Sequence, residues 1–160
     1  MNAVTPNYKT LVESSDVAKS TEKVLIFRVS NQPFGIPALT IQDIIGPQSI
    51  ARIPLAPAFI AGALNLRGRI VTAIDLHNVL ALGPSDHAKR LNIVVRACGE
   101  LYDLCVDDVG DVVEMSLNEL EPNPSTWPEA WRRLSNGIFK LKDELTVILN
   151  VEQLINQQIK

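Results

Sequence analysis

The chain has 160 residues, with 15 Lys and Arg against 18 Asp and Glu, a net charge of −3. That length fits one domain or two small halves sharing a core, and the charge gives no electrostatic case for a nucleic-acid or anionic-membrane partner. Four Phe, two Tyr and two Trp are too few for a base-stacking platform, and the 46% apolar content rests mainly on Ile, Val and Leu, which predicts a β-rich globular fold. Cys98 and Cys105 leave no disulfide framework, and the N-terminus lacks a basic-then-apolar export signal, so the reducing cytoplasm is the expected compartment. No apolar run approaches the roughly eighteen residues of a membrane helix, so any membrane association is expected to come through a partner.

Residues 1–21 are polar and aperiodic and read as a flexible tail, with the folded domain spanning 22–160. From residue 24 the pattern is strand, turn and strand: 24–29, a turn around Ser30-Asn31-Gln32-Pro33, then 34–38. Residues 41–45 form a third extended run that stops at Gly46-Pro47. Pro54 and Pro57 forbid a regular helix or central strand in the next stretch, and residues 58–61 are read as one helical turn. A hairpin over 62–74 turns at Arg67-Gly68, and Asp75 caps a short helix whose Leu76, Val79 and Leu80 share a face.

A second hairpin, 91–98 with 101–106, is expected to turn at Gly99-Glu100, which sets Arg96 opposite Asp103 as a charge pair on an outer face. Its two cysteines then lie too far apart to bridge. Thr126-Trp127-Pro128-Glu129 has capping-box spacing and predicts a helix carrying Trp127 and Trp131, both read as packing residues, that ends near Ser135-Asn136-Gly137. Val151, Leu154, Ile155 and Ile159 form an apolar stripe of a C-terminal helix.

The sequence repeats internally. A displacement of 68 lays Phe34, Ile36, Ile41, Asp43, Ile44, Ile45 and Pro54 on Tyr102, Leu104, Val109, Asp111, Val112, Val113 and Pro122. A displacement of 75 lays Gly62, Leu66, Ile70, Ile74, Asp75 and Leu76 on Gly137, Leu141, Leu145, Leu149, Asn150 and Val151. Two barrel units follow, about 24–82 and 91–157, each with about five strands, enough to close a small barrel.

Catalytic chemistry is poorly supplied. His77 and His87 are the only histidines and read as solvated. No nucleophile elbow, zinc helix, dinucleotide turn or phosphate loop is found. Asp107, Asp108, Asp111 and Glu114 lack calcium-loop spacing and read as solvated carboxylates, with no metal or cofactor expected. Cys98 and Cys105 lack a basic cluster that would make a thiolate. What remains is Asn65-Leu66-Arg67-Gly68, a polar pair on a hairpin tip where a planar guanidinium is well mounted to meet a carboxylate or carbonyl of another protein.

The segment from Pro57 through Asn65-Leu66-Arg67-Gly68-Arg69-Ile70-Val71 to Ile74-Asp75-Leu76 resembles the hallmark of the CheW family of bacterial chemotaxis coupling proteins. The likeness extends to Phe34-Gly35-Ile36, Ile41-Gln42-Asp43-Ile44, Val106-Asp107-Asp108-Val109 and Asp111-Val112-Val113, covering about residues 23–157. The resemblance implies a mainly β fold of two intertwined five-stranded barrels, Src-homology-3-like, and a non-catalytic adaptor. Such an adaptor joins the cytoplasmic tip of a methyl-accepting chemoreceptor to the regulatory domain of a CheA-like histidine kinase. It would be a cytoplasmic monomer when free, recruited to membrane-associated receptor arrays, with no nucleic acid and no direct membrane insertion.

By the same resemblance, Arg67, Asn65, Gly62, Ile41 and Asp43 would meet the receptor, and Ile50, Arg52 and Pro54 the kinase. The family commonly has Glu at the place of Asp43, Pro at Thr72, Arg at His77 and Asn at Leu55. A scaffold of a pilus-motility or other non-flagellar pathway is the alternative within the family, and a small-barrel ligand-binding module the alternative outside it.

Overall fold

The computed structural model describes residues 20–84, 86 and 89–159. The tail expectation for residues 1–19, the reading of His87 and the side chain of Ile159 lie outside the described residues. The chain runs β1 (Thr21–Val29), β2 (Gln32–Pro37), β3 (Ile41–Ile45), β4 (Ile60–Leu66), β5 (Arg69–Asp75), α1 (Leu76–Val79), β6 (Leu91–Ala97) and β7 (Glu100–Val106). It continues through β8 (Asp108–Ser116), α2 (Glu129–Leu134), β9 (Ser135–Leu141) and β10 (Glu144–Leu149) to α3 (Val151–Ile159).

The strands make two five-stranded sheets, ordered β8-β1-β2-β10-β9 and β3-β6-β7-β5-β4. Each sheet takes one hairpin from one sequence unit and three strands from the other. The duplication is carried into the register. Phe34 pairs with Val147 in parallel as Tyr102 pairs with Thr72, and Phe27 faces Val109 as Val95 faces Ile41.

Each sheet is closed by the chain that leaves its edge strand. Ala51, after β3, exchanges two backbone hydrogen bonds of 2.8 Å with Ala63 on β4, and Glu121, after β8, exchanges bonds of 2.8 and 2.9 Å with Ile138 on β9. Closure of this kind removes both exposed edges. It requires glycine at Gly62 (φ 149°) and Gly137 (φ 147°), where a Cβ would collide with the carbonyl oxygens of Ala51 and Glu121.

Ala51 and Glu121, which make the corresponding bridges, occupy equivalent positions of the two units, and this corrects the alignment of Pro54 with Pro122. The second unit holds two further residues before its bridge, in a 3-10 turn at Leu117–Glu119.

Three apolar clusters hold the fold. The largest lies between the sheets and includes Leu25, Phe27, Phe34, Ile36, Ile93, Val95, Leu104, Val147 and Leu149, covered by Leu154 and Ile155 of α3. Each barrel also has an interior of its own: Val24, Ile26, Met115, Phe139 and Ile148 in one, and Leu64, Val71, Ala73 and Cys105 in the other. Both faces of each sheet are therefore buried along much of its length, which accounts for the long aliphatic runs.

Several local expectations are corrected. Residues 58–59 form a turn closed by the Ile60 N–H on the Pro57 carbonyl (3.0 Å), and Ile60 is already strand. The β6–β7 hairpin turns at Cys98-Gly99, both at positive φ, a two-residue turn whose twist matches the strands. Arg96 therefore opposes Leu101, and Val94 opposes Asp103. The shift is two residues, so the faces stand, but the face read as outer lines a barrel interior and Asp103 is fully buried.

The α2 helix starts after Pro128 without a side-chain cap, and Trp127 precedes it. The capping box belongs to Ser116 and Glu119. Both tryptophans pack on the central cluster, as expected.

Candidate partner-binding site

The β4–β5 turn, Arg67-Gly68, has φ values of 53° and 85° and is locked by the Gly68 N–H donating to Asn65 Oδ1 at 2.8 Å. The Asn65 amide oxygen thus shapes the tip that presents Arg67. The Arg67 Nη2 lies 3.2 Å from Asp43 Oδ2, with the Arg side chain 82% exposed. Since β3 and β4 are the two ends of their sheet, the pair spans the seam of the barrel. Asp43 Oδ1 also accepts the Ile44 N–H at 2.9 Å. An exposed ion pair of this kind adds little stability and leaves the guanidinium available to an incoming carboxylate.

Ile41 stands on the same strand as Asp43 but packs against the central cluster. Gly62 lies away from the tip, beside Ile50 and the Ala51 carbonyl, and serves barrel closure. Ile50 joins the interior cluster of that barrel, while Arg52 and Pro54 are exposed on the connection after the bridge. The five residues assigned to the receptor therefore divide: Arg67, Asn65 and Asp43 meet at the seam, Ile41 packs on the central cluster, and Gly62 sits with Ile50.

Exposed aliphatic side chains were missed in the sequence. Leu39 is 98% and Ile70 74% exposed, Leu55 is fully exposed at φ 64°, and Ile44 and Ile53 are partly so. Val112 and Leu145 repeat Ile44 and Ile70 in the second unit. A signal existed: alternation on a strand turns neighbouring side chains to opposite faces, so Ile44-Ile45 and Ile70-Val71 each carry an aliphatic residue beyond what one interior takes.

His77 corrects the expectation of a solvated histidine. It is 5% exposed; Nδ1 lies 3.2 Å from the Gly83 carbonyl oxygen and Nε2 lies 2.8 Å from both oxygens of Asp107. Asp107 also accepts the Ser30 N–H at 2.6 Å, so it ties α1 to the β1–β2 turn rather than standing in solvent. Cys105 is buried, and burial pushes its thiol well above the ordinary range.

A cavity of about 530 Å³ opens between the connection after β3 and strands β4 and β6, lined by Ile50, Arg52, Ile60, Asp75, Arg90 and Asn92 among others. Its floor is tied together by the 2.9 Å ion pair between Arg90 and Asp75, the residue that also caps α1.

Two interlocked small barrels that expose an Arg-bearing tip and several aliphatic side chains define a β-barrel interaction module. A family model described as a CheW-like domain matches residues 23–158, and the chain belongs to that family, the chemotaxis coupling scaffolds. The chain is 28% identical to the chemotaxis protein CheW of Klebsiella aerogenes, over 86% of this chain and 83% of that protein. It is 26% identical to a probable chemotaxis protein CheW of Rhizobium etli, over 84% and 88%. Its fold is similar to the crystal structure of the scaffolding protein TtCheW from Thermoanaerobacter tengcongensis, with a TM-score of 0.75 and 29% identity, covering 84% of this chain and 87% of that one. Among the described residues no helix is long and apolar enough to cross a membrane.

Proposed function

We propose that the protein is a non-catalytic chemotaxis adaptor that couples the cytoplasmic tip of a chemoreceptor to a CheA-type histidine kinase through two separate surfaces. The observation that carries the receptor side is the exposed Arg67 guanidinium, held on a rigid turn at the barrel seam beside Asp43. Ile70, opposite Asn65 on the same hairpin, supplies exposed apolar area, and Arg is among the residues that most often carry the binding energy of an interface. The kinase side is assigned to Ile50, Arg52 and Pro54, with the exposed Ile53 and Leu55 of the same connection as its apolar contribution. A small body that holds two partners at once acts through effective concentration and relative orientation, and needs no reacting group of its own.

The test is reconstitution of the purified chain with a receptor-tip fragment and a kinase regulatory domain, followed by titration of each partner. Arg67→Glu is expected to weaken receptor binding by about 2 kcal/mol, roughly 30-fold, and to leave kinase binding unchanged, with Arg52→Glu doing the reverse. Equal effects of both variants on both partners would overturn the assignment of two surfaces.

A further inference from the structure

The two barrel interiors are related by the duplication, but at one place they are filled by different chemistry. In the barrel containing β1 and β2, Val24, Gly35 and Ile148 meet: a Cβ on Gly35 would lie 2.5 Å from Val24 Cγ1 and 3.0 Å from Ile148 Cδ1, so the two aliphatic side chains together occupy the glycine's vacant side. The residues at the repeated positions in the β3–β7 barrel are Asn92, Asp103 and Ala73. The small residue and the large one are exchanged, and the volume taken by Ile148 in one barrel falls to a carboxyl group in the other. Asp103 is fully buried, and among the described residues its Oδ1 has no hydrogen-bond partner, while Oδ2 has the Cys105 thiol at 3.8 Å.

We infer that Asp103 makes the β3–β7 barrel a proton-linked element, closed around the protonated carboxyl and opening more readily when the carboxyl ionises, while the other barrel does not respond. A buried carboxylate with an unsatisfied oxygen is expensive in an apolar interior, and opening lets water reach it. The charged and titratable groups on the same face are few. Asp75 on β5 and Arg90 before β6 hold each other, and Cys105 follows on β7. Asp43, opposite Val94 on β3, completes a row across the sheet with Asp103, Ala73 and Gly62. Arg69 and Arg96 stand at the exposed end of that face, and Arg52 lies on the connection beside Asp75 and Arg90. An ionised Asp103 therefore adds a second negative charge on the face of Asp43, the partner of Arg67. Burial pushes the Asp103 carboxyl up to about 7, with the Cys105 thiol and then Arg90 opposing that rise.

The sign follows. An ordinary Asp ionises near ~3.9, so between about pH 4 and 7 the unfolded chain has released a proton that the fold retains. The contribution of Asp103 to stability is complete below about pH 4, is lost as pH rises to about 7, and is flat above. The experiment is chemical denaturation of the parent and of Asp103→Asn at half-unit steps from pH 5 to 8.5. The ratio of their unfolding constants is expected to change by about 10-fold per unit up to pH 7 and then level. A constant ratio overturns the inference.

Carbon-13 NMR titration of aspartate carboxyls in the unaltered chain is independent of any variant. One carboxyl titrating near 7 supports the inference, and every Asp titrating below about 5 overturns it. Amide exchange localises the response: the β6–β7 hairpin is expected to open more at pH 8 than at pH 6 after correction for intrinsic rates, and the β1–β2 hairpin not. The triple change Asn92→Val, Asp103→Gly and Ala73→Ile, which installs the other barrel's packing, should abolish that difference, and its persistence would refute the role of Asp103.

Discussion

Trp131 donates its indole N–H to the carbonyl of Leu80 at 2.9 Å, joining the short helix inserted in the second unit to the end of α1 in the first. Its ring also lies 5.7 Å from Phe34 and 5.6 Å from Trp127, the latter edge-on. Trp131→Phe is expected to lose the hydrogen bond while keeping most of the ring packing, at about 1 kcal/mol, and Trp131→Ala to cost about 3 kcal/mol or more. Urea denaturation followed by circular dichroism measures both. Equal losses for the two variants would show that the ring contacts contribute nothing.

Gly62 and Gly137 are expected to be far less replaceable than Gly46, around which a Cβ has open space. Alanine at either of the first two is expected to destabilise by about 2 kcal/mol or more, because positive φ and the approach of a carbonyl act together. Gly46→Ala is expected to be within about 0.5 kcal/mol of the parent by the same thermal or urea measurement.

Arg28 joins the β1–β2 turn to Glu144 at the start of β10, donating to both carboxylate oxygens and to the Asn31 carbonyl. The hydrogen bond from Arg28 holds the Glu144 carboxyl below the usual range. For an acid with a lowered folded pKa, the stabilisation is present above the unfolded value, about 4.3, and is lost as pH falls through the folded value. NMR titration should find Glu144 below that value in the parent and back at it in Arg28→Ala.

His77→Ala is expected to cost about 2 kcal/mol, because it leaves the Gly83 carbonyl without its imidazole partner and takes away one of the partners of Asp107. The Ser30 N–H, which donates to the same carboxylate, should exchange faster with solvent in the variant. Unchanged exchange at Ser30 would show that Asp107 holds its place without the imidazole.

The succession of strands along the chain and the duplication were legible because they depend on aliphatic spacing and on turn residues, which any β-hairpin needs; which strands share a sheet was not, and the intertwining came from the family resemblance alone. The Asp75 cap was legible for the same local reason, and the structure confirms it with the His77 N–H at 3.0 Å. The β6–β7 register was harder, since Cys98-Gly99 and Gly99-Glu100 both offer a glycine, and only the left-handed conformation of Cys98 decides between them. Asp103 and His77 were misread for different reasons. Sequence alternation distinguishes two faces of a strand but does not show that the second face, which carries Asp103, curls onto an interior of its own. His77 stands in α1, and its burial depends on Asp107, 30 residues away and beyond the reach of any local pattern. The pairing of Arg67 with Asp43 joins positions 24 residues apart through the closing of a barrel, which no local pattern encodes.

The exchange of hairpins between the sheets has a consequence for assembly. One sequence unit alone supplies a hairpin belonging to one sheet and three strands belonging to the other, so by itself it completes neither. Two copies of such a unit supply every strand both sheets require, each lending its hairpin to its twin. On separate chains that embrace would depend on concentration; the covalent link between the units makes it intramolecular. A difference such as that between Asp103 and Gly35 is open only to the single chain, because in a homodimer every substitution is made twice.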